Sequence, residues 1–274
     1  MRKIAIISSK GGVGKTTFSF HVCHFLARSG KRVLGVDMDP QGSLSFVFFG
    51  ASRKAGVWEK HLGQKISPVK VGDNLDVLPT SVETANIQWS ENGVAEMLAS
   101  VAGEMGAEPE WVVIDSPSSI STGTKSILNA VDSIVVPSDL TTLSLRGMVQ
   151  LLKLKPSSWK VLPMRIVPTQ RNTHEGQEQL AAALRGRNLE PADYLLPHIS
   201  RRVAVDYAMS VGKPVWDETR YKDKQAIDEF KNAITALLER APAVGANNGE
   251  KTETGAHPAH MATGGQINQA GAMQ

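Results

Sequence analysis

The stretch that most constrains the fold is Lys10-Gly11-Gly12-Val13-Gly14-Lys15-Thr16-Thr17, set between an apolar run at residues 4–7 and a helical stretch at 16–28 that closes at Gly30. A glycine-rich turn between a buried strand and a helix is the first βα connection of a parallel sheet, in the context a phosphate-binding loop requires. Gly11, Gly12 and Gly14 let the backbone take positive φ and turn its N–H groups toward phosphate oxygens, and the helix N-terminus adds its positive dipole end. Lys15 is placed to reach β and γ phosphates, and the Thr16 hydroxyl to ligate Mg²⁺. Val13 and Thr17 complete the candidate nucleotide-binding set, residues 10–17.

The strand pattern recurs at residues 33–36, 75–78, 111–114, 133–136 and 161–167, each run ending near Pro, Ser, Thr or Asp and then a helical stretch. Helical periods at 95–102 and 227–238 alternate with them; the second puts Ile227, Phe230, Ile234 and Leu237 on one face. This alternation predicts an α/β fold: a doubly wound, mostly parallel sheet with helices on both faces, and ligands at the strands' carboxyl ends. Residues 51–71 read as variable loop or short helices. After Arg240 the chain is rich in Gly, Ala, Asn, Gln and Thr without aromatic residues or an apolar period, so residues 1–240 are expected to form one domain and 241–274 a disordered tail.

Composition removes several function classes. The single cysteine, Cys23, excludes an internal disulfide framework and a Cys-only metal site within one chain. No apolar stretch approaches the roughly 18–20 residues a membrane span needs, and the uncharged run before Lys10 is too short for a signal-peptide core, so a cytoplasmic protein is expected. The net charge is only +3, but residues 145–202 hold ten Lys or Arg against four acids.

Lys10 is not demanded by an ordinary phosphate loop. The run Lys-Gly-Gly-x-Gly-Lys-Thr-Thr resembles the deviant Walker A motif of the ParA/MinD family of ATPases. Asp37-Met38-Asp39-Pro40-Gln41-Gly42-Ser43 resembles that family's switch segment, Val112-Val113-Ile114-Asp115-Ser116-Pro117 its Walker B strand, and Val211-Gly212-Lys213-Pro214-Val215 its Gly-Lys-Pro element, all in the family's order. The resemblance implies that Lys10 reaches across an interface to the partner's nucleotide, so that two ATP molecules are sandwiched in an ATP-dependent homodimer. It implies that Asp39 positions or activates the attacking water and stands near the metal, and that Asp115 holds Mg²⁺ directly or through water, with Lys10, Lys15 and Asp39 as the catalytic set. Asp39 before Pro40 also reads as a helix N-cap ahead of a proline at the first helical position. Thr169-Gln170-Arg171-Asn172 is a loose match to the segment that contacts the adenine.

Within the family, the lone cysteine argues against nitrogenase-type reductases and iron–sulfur scaffolds. The tail lacks both the basic amphipathic helix of MinD-like proteins and the tyrosine cluster of the related kinases. The ParA branch remains. It implies sequence-blind binding of duplex DNA through basic residues of the C-terminal half, with Arg201, Arg202, Arg220, Lys222 and Lys224 as candidates, nucleoid association without membrane, and a ParB-like or other adaptor that stimulates hydrolysis. With so little chain before the first strand, an N-terminal helix-turn-helix and operator autoregulation are not expected. The alternative is an ATPase of the same fold that positions a protein cargo or drives a small-molecule or regulatory reaction without DNA. Cys23 beside Val22 and Phe25 reads as core, the five tryptophans as packing, and His21, His24, His174 and His198 lack metal-ligand spacing.

Overall fold

The computed structural model describes residues 1–52, 55–141, 144–145, 147–148, 159–167, 171–186 and 188–240. The expected tail at 241–274, the adenine-segment residues 169 and 170, and Arg146, Lys153, Lys155 and Arg187 of the basic stretch lie outside them. The sheet has eight strands: β1 (Arg2–Ile6), β2 (Val33–Asp37), β3 (Val69–Gly72), β4 (Leu75–Leu78), β5 (Trp111–Asp115), β6 (Ser133–Ser138), β7 (Trp159–Ile166) and β8 (Ile199–Ser200), in the spatial order β3-β4-β2-β5-β1-β6-β7-β8. Every pairing is parallel except β3 with β4. The strand order reverses about β1, and the crevice at such a reversal is where doubly wound sheets bind ligands.

The helices are α1 (Lys15–Arg28), α2 (Ser43–Phe49), α3 (Val57–His61), α4 (Gly93–Glu104), α5 (Thr122–Ala130), α6 (Arg171–Arg185), α7 (Pro191–Tyr194), α8 (Val203–Ser210) and α9 (Lys224–Glu239). Strand residues alternate between two cores, as the pleat demands. Ala5, Leu34, Val36, Val112 and Ile114 face Val94, Leu98, Val101 and Ile127 of α4 and α5. On the other side Ile4, Ile6, Val33, Val113 and Val135 face Phe18, Val22 and Leu26 of α1 and Phe230, Ile234 and Leu237 of α9. A strand buried on both faces has no polar positions to alternate, which is why these segments read as continuous apolar runs.

The 51–71 segment departs from the sequence reading. It holds the short helix α3, as expected, but ends in β3, an antiparallel edge strand whose pairing with β4 carries a register irregularity between Lys70 and Gly72. A four-residue edge strand with half-exposed positions gives no apolar run to read.

Helix ends follow local chemistry. Gly30 stands in the left-handed region after α1, with its N–H on the Ala27 carbonyl and the Lys31 N–H on Leu26. Gly212 repeats this after α8, donating to Met209 while Lys213 donates to Ala208. Both are Schellman closures, and the second explains the Gly-Lys-Pro sequence: glycine supplies the positive φ, and proline follows where the helix cannot continue.

Candidate functional site

The site lies at the carboxyl ends of four adjacent strands. The phosphate loop follows β1, Asp37 ends β2, Asp115 ends β5, and Asp139 immediately follows β6. Gly12 and Gly14 have φ of 73° and 100°. Gly14 is constrained twice, because a Cβ there would stand 2.6 Å from the Met164 sulfur on β7. Any side chain would therefore strain the backbone and force the Met164 thioether to move.

Lys15, the first residue of α1, is buried, and its Nζ donates to Ser118 Oγ at 2.6 Å. Burial lowers its pKa, against the opposing pull of Asp115 and Asp39. Thr16 Oγ1 donates to Asp115 Oδ2 at 2.7 Å, and Ser19 Oγ to Asp115 Oδ1 at 3.0 Å. Asp37 and Asp115 are register partners on β2 and β5 and both are fully buried. Burial first, and then their mutual repulsion, raises the Asp37 pKa; burial and the Asp39 charge raise that of Asp115 against the pull of Thr16, Ser19 and Lys15.

Asp37 acquires a definite structural task. Its Oδ2 accepts from the Ser45 N–H and hydroxyl, both at 2.8 Å, and its Oδ1 from the Asp39 N–H at 3.1 Å, so it fastens the switch segment and α2 to the sheet end. Asp39 is not the helix N-cap the Asp-Pro pair suggested. Its Oδ1 accepts from the Gln41 N–H at 3.0 Å and its carbonyl from the Gly42 N–H at 2.8 Å, closing a turn, and α2 starts only after Gly42 at φ 66°. Asp–Pro favours this turn as readily as a helix start. The Asp39 carboxylate, half-buried, stays at the site.

Lys10 bends back onto its own chain. Its Nζ pairs with Asp139 Oδ2 at 2.5 Å and reaches Thr141 Oγ1 at 3.3 Å. Burial would raise the Asp139 pKa, but Lys10, Ser144 and Thr141 outweigh it and bring it down to about 2. Between Asp139 and Thr141, buried Leu140 takes φ of 57°, a conformation that costs a branched side chain and that recurs at functional loops. Sequence reasoning missed Ser118, Asp139, Ser19 and Ser45. Asp139 carried a usable signal, a polar residue just past the end of a central parallel strand, as Asp115 did.

The oxygen donors suit a small hard cation. The Thr16 hydroxyl and the buried carboxyl groups of Asp115 and Asp37 lie together, with Lys15 as the nearby cation. Among the described residues no three His, Cys, Asp or Glu side chains form a protein-only cage, so a cation here takes part of its shell from water and phosphate, as Mg²⁺ does. Thr16 and Asp115 would hold it, with Asp39 at its edge.

The candidate DNA contacts divide. Arg201, Arg220, Lys222 and Lys224 are exposed. Arg202 is not available: its guanidinium pairs with Glu229 Oε1 at 3.0 Å and Asp223 Oδ2 at 3.3 Å, in a network that also ties Ser200. Its charge is compensated internally, and it joins β8 to α9.

His21 is fully buried. Its Nδ1 lies 2.7 Å from the Thr17 carbonyl, its Nε2 accepts from the Val215 N–H at 3.0 Å, and its ring stacks on Phe230 at 4.0 Å. Burial lowers its pKa to about 3, so it is the neutral Nδ1–H tautomer that joins the phosphate-loop helix to the Gly-Lys-Pro element. Cys23, fully buried, is core as expected.

A phosphate loop at the reversal of a doubly wound sheet, faced by a strand-terminal aspartate pair, defines a P-loop nucleotide-binding protein. A family model described as an AAA domain matches residues 1–157. The chain is 33% identical over 153 residues to the chromosome-partitioning ATPase Soj of Thermus thermophilus, across 56% of this chain and 60% of that protein. In structure it matches a plasmid partition protein from Borrelia burgdorferi, with TM-score 0.66, 21% identity and coverage of 87% and 98%. It also matches cobyrinic acid a,c-diamide synthase from Mycobacterium smegmatis with bound ADP and magnesium, with TM-score 0.66, 25% identity and coverage of 87% and 94%. The chain belongs to the ParA/MinD family of P-loop ATPases. It aligns with about 60% of the length of the Soj relatives it matches. Among the described residues no helix is long and apolar enough to cross a membrane.

Proposed function

We propose that this chain is a ParA-type partition ATPase: with ATP it forms a sandwich dimer that binds duplex DNA without sequence preference, and an adaptor of ParB kind stimulates hydrolysis to ADP and phosphate and release. The observation that carries the reading is the pairing of a complete phosphate loop with a second lysine, Lys10, at its mouth, held by the partly exposed Asp139 carboxylate and the Thr141 hydroxyl of its own chain. In a competent dimer Lys10 leaves Asp139 for the partner's nucleotide, where an ammonium in a water-poor interface stabilises the charge of the transferring phosphoryl group. Lys15 and the N–H groups of residues 11–16 hold the phosphates, and Asp39 orients the attacking water or takes its proton. Thr16 and Asp115 would hold Mg²⁺, which would supply neutralisation of phosphate charge. On DNA the protein would be nucleoid-associated in the cytoplasm, and residues 1–240 are proposed to be the whole ATPase domain, with 241–274 outside it.

A second reading keeps the site and drops DNA: an ATPase that drives a small-molecule or regulatory reaction, or positions a protein cargo. Its support is the likeness to a diamide synthase at higher identity than the partition structure. Retention of an unrelated duplex by the purified protein with ATP and Mg²⁺, with ADP, or without nucleotide, repeated across salt, separates the two. Binding only with ATP that weakens steeply with salt supports the partition reading. Absence of binding in all three states, with hydrolysis intact, replaces it by the second.

A further inference from the structure

The loop between α8 and α9 brings Arg220 and Tyr221 against Tyr207, thirteen positions before Arg220. The rings of Tyr207, in the last turn of α8, and Tyr221 meet edge to face at 4.9 Å. The Arg220 guanidinium carbon lies 5.6 Å from the Tyr207 centroid and 5.7 Å from that of Tyr221, and Nη1 donates to the Tyr207 hydroxyl at 3.4 Å. The Arg220 N–H is fixed in turn by the carboxylate of buried Glu218.

Four arginines elsewhere spend their charge inside the molecule. Arg28 pairs with Asp217, Arg32 with Glu110, Arg165 with Asp206, and Arg202 with Asp223 and Glu229. No described carboxylate lies within ion-pair distance of Arg220. The acid whose charge acts on it, Glu218, already accepts from the Arg220 backbone N–H, and Asp206, Asp223 and Glu229 face Arg165 or Arg202. Arg220 is therefore a charge held in place by aromatic faces and a phenol oxygen while most of its donors face solvent. A planar guanidinium fixed in this way meets a phosphodiester as a fork, whereas Lys222 and Lys224 beside it are solvated point charges on free stems.

We propose that Arg220 is the principal phosphate-engaging residue of the C-terminal face and that Tyr207 and Tyr221 are positioning residues for it. This rests on the duplex-binding reading above and names where in that surface the affinity resides. Cation–π seating removes rotamer freedom before the ligand arrives, so binding does not have to.

The test is duplex retention with ATP and Mg²⁺ over a salt series, using the full chain and thermal unfolding to verify each variant is folded. Arg220→Lys keeps the charge and loses the fork and the stacking; Tyr221→Leu keeps Arg220 and loses one ring. Each is expected to weaken binding about tenfold with the salt slope unchanged, because the number of cations is unchanged. Tyr221→Phe should restore wild-type binding, since it keeps the ring. Lys222→Ala should instead flatten the log–log slope by about 0.9 with a smaller loss at low salt. Wild-type affinity in both Arg220→Lys and Tyr221→Leu overturns the proposal while leaving duplex binding standing. A wild-type protein that retains no duplex in any nucleotide state overturns the duplex reading itself, and this assignment with it.

Discussion

Two lysines separated by five positions meet opposite fates on one loop. Lys15 is buried and drawn toward Ser118, Asp115 and Asp39; Lys10 sits at the rim on Asp139. Replacing Lys15 with Ala should abolish nucleotide binding measured by equilibrium dialysis, because no other described cation faces the loop interior, and retained affinity would mean that phosphates sit elsewhere. The Lys10 pair is more than a third exposed on the lysine side, so it is worth only about 0.5–1 kcal/mol. Asp139→Asn is therefore expected to shift the ATP-dependent dimer to lower protein concentration by a few-fold in sedimentation, since among the described residues only the neutral Thr141 hydroxyl and the new amide then compete for Lys10. Dimers unchanged or weakened by the substitution would show that the pair supports the loop rather than restraining the lysine. Lys10 and Asp139 illustrate what the sequence could tell. The lysine stood inside a recognisable run, but its partner lies 129 positions away and is brought near only by the β1–β6 pairing.

Elements whose apolar pattern is set by burial on both faces were legible, because such strands have no choice of composition. The central strands β2, β4, β5 and β6 begin where the apolar runs begin. What was not legible depends on contacts rather than pattern: β3, which needs β4 to exist, and α2, whose apolar run Phe46-Val47-Phe48-Phe49 carries no period a short helix could display. The Gly-Lys-Pro element was visible as a motif but not as a cause. Gly212 at φ 64° closes α8 and also lies against the switch helix, where a Cβ would stand 2.8 Å from the Val47 carbonyl. Gly212→Ala should then cost about 1–3 kcal/mol in urea unfolding, the sum of an unfavourable backbone and a close approach. A neutral result would show that α2 yields freely at that contact.

For the molecule as a whole, burial has placed groups of opposite titration in one core. His21 and His24 are held neutral with pKa values lowered to about 3 and about 4, so unfolding lets them take up protons below the ordinary value of 6.5 and stability falls as pH drops through that range. Asp37 and Asp115 are raised, so the folded state holds more protons than the unfolded one, and stability falls as pH rises through the pair's range. Above pH 6.5 the histidines are neutral in both states and only the carboxylates still respond. The nucleotide-free protein should therefore be most stable near pH 6–7, with the urea midpoint lower at pH 8 than at 6.5, and Asp37→Asn should remove most of that alkaline decline. A midpoint that rises steadily to pH 8 would mean that the pair is relieved by a cation already at micromolar levels or by rearrangement of β2 against β5.

His21 gives the molecule an axle. One ring spans the first turn of the phosphate-loop helix and the turn that leads into the arginine–tyrosine face, clasped by Thr17 on one side and Val215 on the other and backed by Phe230. Because the ring is enclosed and uncharged, the link it makes does not change with pH across the neutral range. The phosphate-loop helix and the segment that runs on to Arg220 and Tyr221 are thereby tied through a single imidazole.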